Sequence, residues 1–145
     1  MIADHVLFYC EDIPQVLAEC RRVLKNGGRF LCSTYGKQHM WEITDLVQQF
    51  HKEIVLSAEV LYERFGLENG ENLLAPYFPE IQMRRYEDAI EIAEAEPLIS
   101  YILSCHGNQN QLLLNQYKEF REFVSARVAD GFHITKDAGI FLCRK

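Results

Sequence analysis

The sequence predicts an α/β fold, and three observations carry that prediction. Ile13, Val16, Leu17, Cys20, Val23 and Leu24 recur at helical spacing, with Glu19, Arg21 and Arg22 between them. Directly behind this helix, across Gly27-Gly28, residues 29–34 form an apolar run that does not alternate, the pattern of a buried parallel strand. At the far end, residues 140–143 are again apolar on both faces and belong inside a sheet. A chain of 145 residues with 48% hydrophobic and 25% charged residues suits one such domain over its whole length.

In chain order, the short apolar stub of residues 1–3 leads into Asp4-His5-Val6-Leu7. Asp12 is placed to cap the first helix, with Pro14 in the first turn, and Lys25 and Asn26-Gly27-Gly28 are expected to close it. After the strand at 29–34, which Gly36 ends, a helix is predicted over 38–51 on Ile43, Leu46, Val47 and Phe50. Residues 52–66 read as helical too. Leu67-Glu68-Asn69-Gly70 is a turn signal, followed by a short helix over 71–76. Residues 81–86 alternate imperfectly and carry Arg84-Arg85, which suits an edge strand. The acidic run from Glu87-Asp88 through Glu96 reads as a solvated face. Pro97 opens a helix through Cys105, and a longer one follows Asn110 with Leu113, Tyr117, Phe120 and Val124 in step. Residues 132–135, a turn at Asp137-Ala138-Gly139 and the strand at 140–143 complete the chain.

Fifteen Lys and Arg against twenty-one Asp and Glu leave a formal charge of −6, with basic residues scattered, so a nucleic-acid partner is not expected. No apolar run is long enough for a membrane span, and the first ten residues lack a basic leader region. Five unspaced cysteines, of which Cys32 and Cys143 lie in apolar runs, point to a reducing, cytoplasmic setting. Neither C-x-x-C nor H-x-x-x-H spacing occurs, so no metal site is expected. Cys105 and His106 are sequence neighbours and point to different sides of a helix, not a nucleophile–base pair.

The stretch Glu19-Cys20-Arg21-Arg22-Val23-Leu24-Lys25-Asn26-Gly27-Gly28-Arg29-Phe30-Leu31 resembles the E-x-x-R-V-L-K-P-G-G motif of class I, S-adenosylmethionine-dependent methyltransferases, type 11 branch. Asn26 stands in the family's proline position. Ile2-Ala3-Asp4-His5-Val6-Leu7 is similar to the family's fourth-strand ending. Arg84-Arg85-Tyr86-Glu87-Asp88, Ala95-Glu96-Pro97-Leu98 and Thr135-Lys136-Asp137-Ala138-Gly139 look like its C-terminal half. The resemblance implies a partial Rossmann-like fold beginning at the fourth strand. It implies a mixed sheet of order 4-5-7-6 with an antiparallel last strand, helices packed on it and residues 35–80 as a helical cap or insert.

That resemblance also implies the site. Ala3, Asp4, His5 and Val6 would border S-adenosylmethionine, and Ser33, Thr34, Tyr35, Met40 and Trp41 would wall a pocket for a small-molecule methyl acceptor. An aromatic face there suits a sulfonium cation; the competing reading makes Trp41, Phe50, Tyr62 and Phe65 plain packing residues. His5 and His39 are the candidates for a general base. The family's glycine-rich E/D-x-G-x-G-x-G turn has no counterpart, because the one Gly-Gly pair is the helix stop. The chain therefore reads as a methyltransferase-like protein without its cofactor-binding half and inactive by itself, needing that half from elsewhere. The rival reading is a non-catalytic remnant that binds itself or a partner. Either way an uncovered internal strand near Met1 or Arg29 favours a homodimer through the exposed sheet edge.

Overall fold

Asp12 caps the first helix as its position requires: its carboxylate accepts the Gln15 N–H at 2.9 Å, and Pro14 lies in the first turn. The computed structural model describes residues 1–57 and 59–145. Strand β1 is Ile2–Ala3, followed by a 3-10 turn at Leu7–Tyr9, helix α1 (Ile13–Val23) and strand β2 (Arg29–Tyr35). Next come α2 (Trp41–Phe50), α3 (Leu61–Arg64), α4 (Gly70–Leu74) and β3 (Glu80–Ile92). The chain ends with α5 (Ala95–Ser104), α6 (Gln109–Leu113), α7 (Tyr117–Val128) and β4 (Phe132–Arg144).

The sheet has the order β1-β2-β4-β3, with β1 parallel to β2 and β2 antiparallel to β4. This is the predicted mixed sheet with its antiparallel last strand inside and the residue-81 strand at an edge. Phe30, Cys32 and Thr34 alternate with half-buried Leu31, Ser33 and Tyr35 along β2, so one face is fully buried.

Several elements differ from the sequence expectation. The first helix stops at Val23, where Leu24 turns extended, so Arg21 and Arg22 occupy the last turn and Lys25 lies beyond it. Gly27 takes φ +73° in the turn, whose Gly27 N–H donates to the Lys145 carbonyl at 3.1 Å. Of the helix expected over 52–66, only Leu61–Arg64 forms, and residue 58 lies outside the described residues. Tertiary bonds hold its first part in a turn and loop: the Val55 N–H donates to Asn108 Oδ1 at 2.8 Å and Asn108 Nδ2 donates to the Glu53 carbonyl at 2.7 Å. The long helix expected after Asn110 is two, α6 and α7, broken between Leu113 and Tyr117. The acidic segment from Glu87 to Ile92 is a strand continuing β3, though it remains exposed.

The turn expected at Asp137-Ala138-Gly139 does not form. These residues run straight through β4, with Ala138 opposite Tyr35 and Gly139 opposite Thr34. Local turn preference yields here to the sheet ladder, and a Cβ on Gly139 would lie 2.8 Å from the Arg84 carbonyl oxygen. Close backbone approach, not a bend, is what this glycine serves.

The chain forms two compact units. The first comprises residues 1–39, 60–87 and 137–145, with Leu17, Phe30, Phe65, Leu74, Phe78 and Phe141 buried in its core. Phe30 stacks on Phe78 at 5.5 Å and Phe65 meets Phe141 edge-on at 5.9 Å. The second unit comprises residues 40–59 and 88–136, built on Val47, Ile54, Ile102, Phe120 and Val124. There the Glu42 carboxylate accepts the Thr135 N–H at 3.0 Å and the Thr135 hydroxyl. The stretch 35–80 therefore contributes to both units.

Candidate functional site

Parallel pairing sets Ile2 opposite Leu31 and Ala3 opposite Cys32, so β1 and β2 end on the same side. Asp4 and His5 leave β1 there, beside Ser33 and Tyr35 at the end of β2. Open α/β sheets hold ligands at such carboxyl ends.

His5 turns the chain with φ 47°, a left-handed conformation that costs a non-glycine residue about 1 kcal/mol or more. Its N–H donates to Ser33 Oγ at 3.0 Å, and the Ser33 hydroxyl donates in turn to the Asp4 carboxylate. The imidazole stacks on Tyr35, with centroids 4.3 Å apart and planes 30° from parallel. Its Nδ1 is buried and meets no hydrogen-bond partner among the described residues. An orphan polar atom beside a strained backbone is a cost to stability, and such costs cluster at functional sites.

The opposite face of the column is His39, whose ring lies 4.4 Å from Tyr35 at 27°. Phe8 stacks 5.5 Å from Tyr35 and meets Tyr9 edge-on at 4.7 Å. Burial pushes the Tyr35 phenol up, and nearby Tyr9 and Asp4 push it further, so the hydroxyl remains a proton donor at neutral pH.

His39 is held by Asp137, whose main-chain N–H donates to Nδ1 at 3.1 Å. The neutral ring therefore carries its proton on Nε2. The Asp137 carbonyl accepts the Gly36 N–H at 3.0 Å, and its buried carboxylate accepts Arg85 Nε at 2.7 Å and Nη2 at 3.1 Å. The Gln38 N–H points at the same carboxylate from 3.4 Å, and Arg85 also reaches Glu68 at 2.9 Å. A Cβ on Gly36 would lie 2.0 Å from Asp137 Oδ2, so only glycine leaves room for this pair.

The structure thus brings together Asp4, His5, Ser33, Tyr35 and His39. Half-buried Ala3 lies in β1, and Val6 offers its carbonyl to the Tyr9 N–H at 3.0 Å. Thr34 is fully buried, with its hydroxyl bonded to the Phe65 carbonyl. Met40 and Trp41 belong to the second unit, where Met40 has φ 56° at the start of α2 and Trp41 is half exposed. Arg85, Asp137 and Phe8 were not singled out as site residues in the sequence. Of these, Asp137 lies in a segment whose sequence predicts a turn.

Residues 1–32, which hold β1, the Asp4–His5 corner and α1, match the sequence model of the family described as Methyltransferase domain. That stretch is similar to a methyltransferase domain. It includes the motif around Arg22 to Gly28 on which the class I resemblance rests. The match to the methyltransferase family stops within β2, so Tyr35, His39, Arg85 and Asp137 lie outside it. No curated protein matches the chain. Among solved structures, phosphoethanolamine N-methyltransferase 2 of Haemonchus contortus, in complex with phosphomonomethylethanolamine and S-adenosylhomocysteine, is similar with a TM-score of 0.43 and 12% identity. The alignment covers 99% of this chain, which spans 32% of that protein.

A groove beside β1 is lined by Met1, Gln15, Val16, Glu19, Cys20 and Val23, away from the Asp4–His5 corner. Among the described residues, no helix is long and apolar enough to cross a membrane.

Proposed function

We propose that this methyltransferase-like chain supplies one side of an S-adenosylmethionine site and is not catalytically competent alone. The observation that carries this reading is the coincidence of the methyltransferase-domain match with the strained corner at Asp4 and His5. The residues present suit part of such a ligand. The Asp4 carboxylate and the aromatic rings of Tyr9 and Tyr35 favour a cation, and His5 Nδ1 is a buried polar atom in need of a partner. The cofactor, when bound, supplies an electrophilic methyl group. The chain's own part is to orient it against Ala3, Asp4, His5 and Val6 and to exclude water with the His5–Tyr35–His39 stack.

The other part of the site is unsupplied. No G-x-G occurs in the sequence, and Gly27-Gly28 is engaged in the turn between α1 and β2. We therefore assign the glycine-rich half to a longer chain or a partner. The five free cysteines suit the reducing cytoplasm. Calorimetry and backbone-amide NMR with S-adenosylhomocysteine test the reading. Weak binding at about millimolar ligand, with shifts centred on residues 3–6, supports it. Micromolar binding by the chain alone overturns the incomplete site, and no response at about 10 mM overturns the site itself.

The second reading, a self-associating module, is favoured by the open edge of β1. Ile2 is 74% exposed and Val23 51% exposed, beside the apolar groove on α1. A second copy is the occupant this reading assigns to that edge. Light scattering at micromolar concentration decides it, and a sharp monomer mass overturns the dimer.

A further inference from the structure

Asp137 directs three hydrogen bonds to the segment that follows β2: its carbonyl takes the Gly36 N–H, its carboxylate faces the Gln38 N–H at 3.4 Å, and its own N–H fills His39 Nδ1. Arg85 anchors that carboxylate through two nitrogens, at 2.7 Å and 3.1 Å, and is steadied by Glu68. The segment so held carries His39, and His39 is one face of the column whose other face is the strained, orphaned His5. We infer that Asp137 and Arg85 are positioning residues of the candidate site: they set which ring nitrogen of His39 bears the proton and hold the His39–Tyr35–His5 stack in place. The inference rests on the cofactor reading only for its functional consequence, since the ring geometry exists without a ligand.

The physical reason is specificity of placement. Residues 36–39 connect β2 to α2; besides the bonds to Asp137 they are held by the His39 N–H on the Gly36 carbonyl at 3.2 Å and the Lys37 N–H on Glu68 at 3.3 Å, so Asp137 supplies the larger share of the turn's anchoring. An Arg–carboxylate fork is directional and rigid, and Asp137 lies in a strand locked by its pairing with β2, which transmits that rigidity to the turn. Tautomer control is a further consequence. With Nδ1 occupied by a main-chain N–H, His39 presents Nε2 as a donor and is not a base through Nδ1.

Ring 15N and aromatic 1H NMR on the full chain test this, with Asp137→Asn, Arg85→Gln and Arg85→Lys. Wild type should show His39 as the Nε2–H tautomer and Tyr35 ring protons displaced upfield by the flanking imidazoles. Asp137→Asn and Arg85→Gln should average the tautomer and relax the Tyr35 shifts, while amides of α1 stay unmoved. Arg85→Lys should restore much of both. In the same samples S-adenosylhomocysteine affinity should fall about tenfold with Asn or Gln and less with Lys. Unchanged His39 and Tyr35 spectra in both charge-removing variants overturn the inference, as does unchanged affinity with altered spectra. A wild-type chain that binds no ligand overturns the cofactor reading instead, and the ring spectra still decide the positioning.

Discussion

His5 and Tyr35 stack with their centroids 4.3 Å apart, closing the end of β1 onto the end of β2. The contact is made by a residue whose backbone lies in the left-handed region, so packing and backbone strain oppose one another at one position. His5→Ala keeps the strain and loses the stack, and should destabilise the first unit by about 1–2 kcal/mol. His5→Gly loses the same ring but relieves the strain, and should be the milder of the two. Urea unfolding of both variants reads the difference; a glycine variant less stable than the alanine one contradicts the strain.

Arg85→Ala leaves the Asp137 carboxylate, only 7% exposed, without its principal partner. A buried carboxylate stripped of its cation costs several kcal/mol, but the Arg85 side chain is 38% exposed and water replaces part of the loss. A destabilisation of about 2 kcal/mol is expected by chemical denaturation.

Gly107→Ala should be far more damaging than its size suggests. The added Cβ would sit 1.6 Å from the Val55 carbonyl oxygen, a backbone atom that cannot rotate away. The Asn108 bonds to residues 53 and 55 must break to make room, so a loss above about 3 kcal/mol is expected. Hydrogen exchange at the Val55 N–H should rise first.

His133 donates a pH-dependent interaction to the second unit. Its ring pairs with the Glu91 carboxylate, and that hydrogen bond raises its pKa above the ordinary 6.5. Because the folded value is the higher one, the contribution to stability is complete below the unfolded pKa and disappears as pH rises through the folded one. NMR titration should place the His133 midpoint above 6.5, with Glu91→Gln bringing it back down.

The legible part of this molecule is what short sequence patterns control. Asp12 with Pro14 located the start of α1 because a cap and a fixed φ act within one turn. Apolar runs located β2 and the interior half of β4, because a strand with one face fully buried and the other half-buried is mostly apolar on both. Asp4, His5, Ser33 and Tyr35 lie at one edge because parallel pairing of two adjacent strands brings their ends together. Asp137-Ala138-Gly139 misled for the opposite reason: its turn preference is local, whereas its partners Arg85, Gly36 and His39 are remote in sequence.

By itself the sequence determined the α/β class, the capped first helix and the alternation of strands and helices, all consequences of interactions within about a dozen residues. Only the tertiary structure decided that residues 53–55 are held out of a helix by Asn108, that β4 passes straight through its glycine, and that the Asp137 N–H meets His39. Those outcomes depend on hydrogen bonds and close contacts spanning fifty to a hundred residues. No local propensity encodes them, because each exists only once the sheet has brought its partners together.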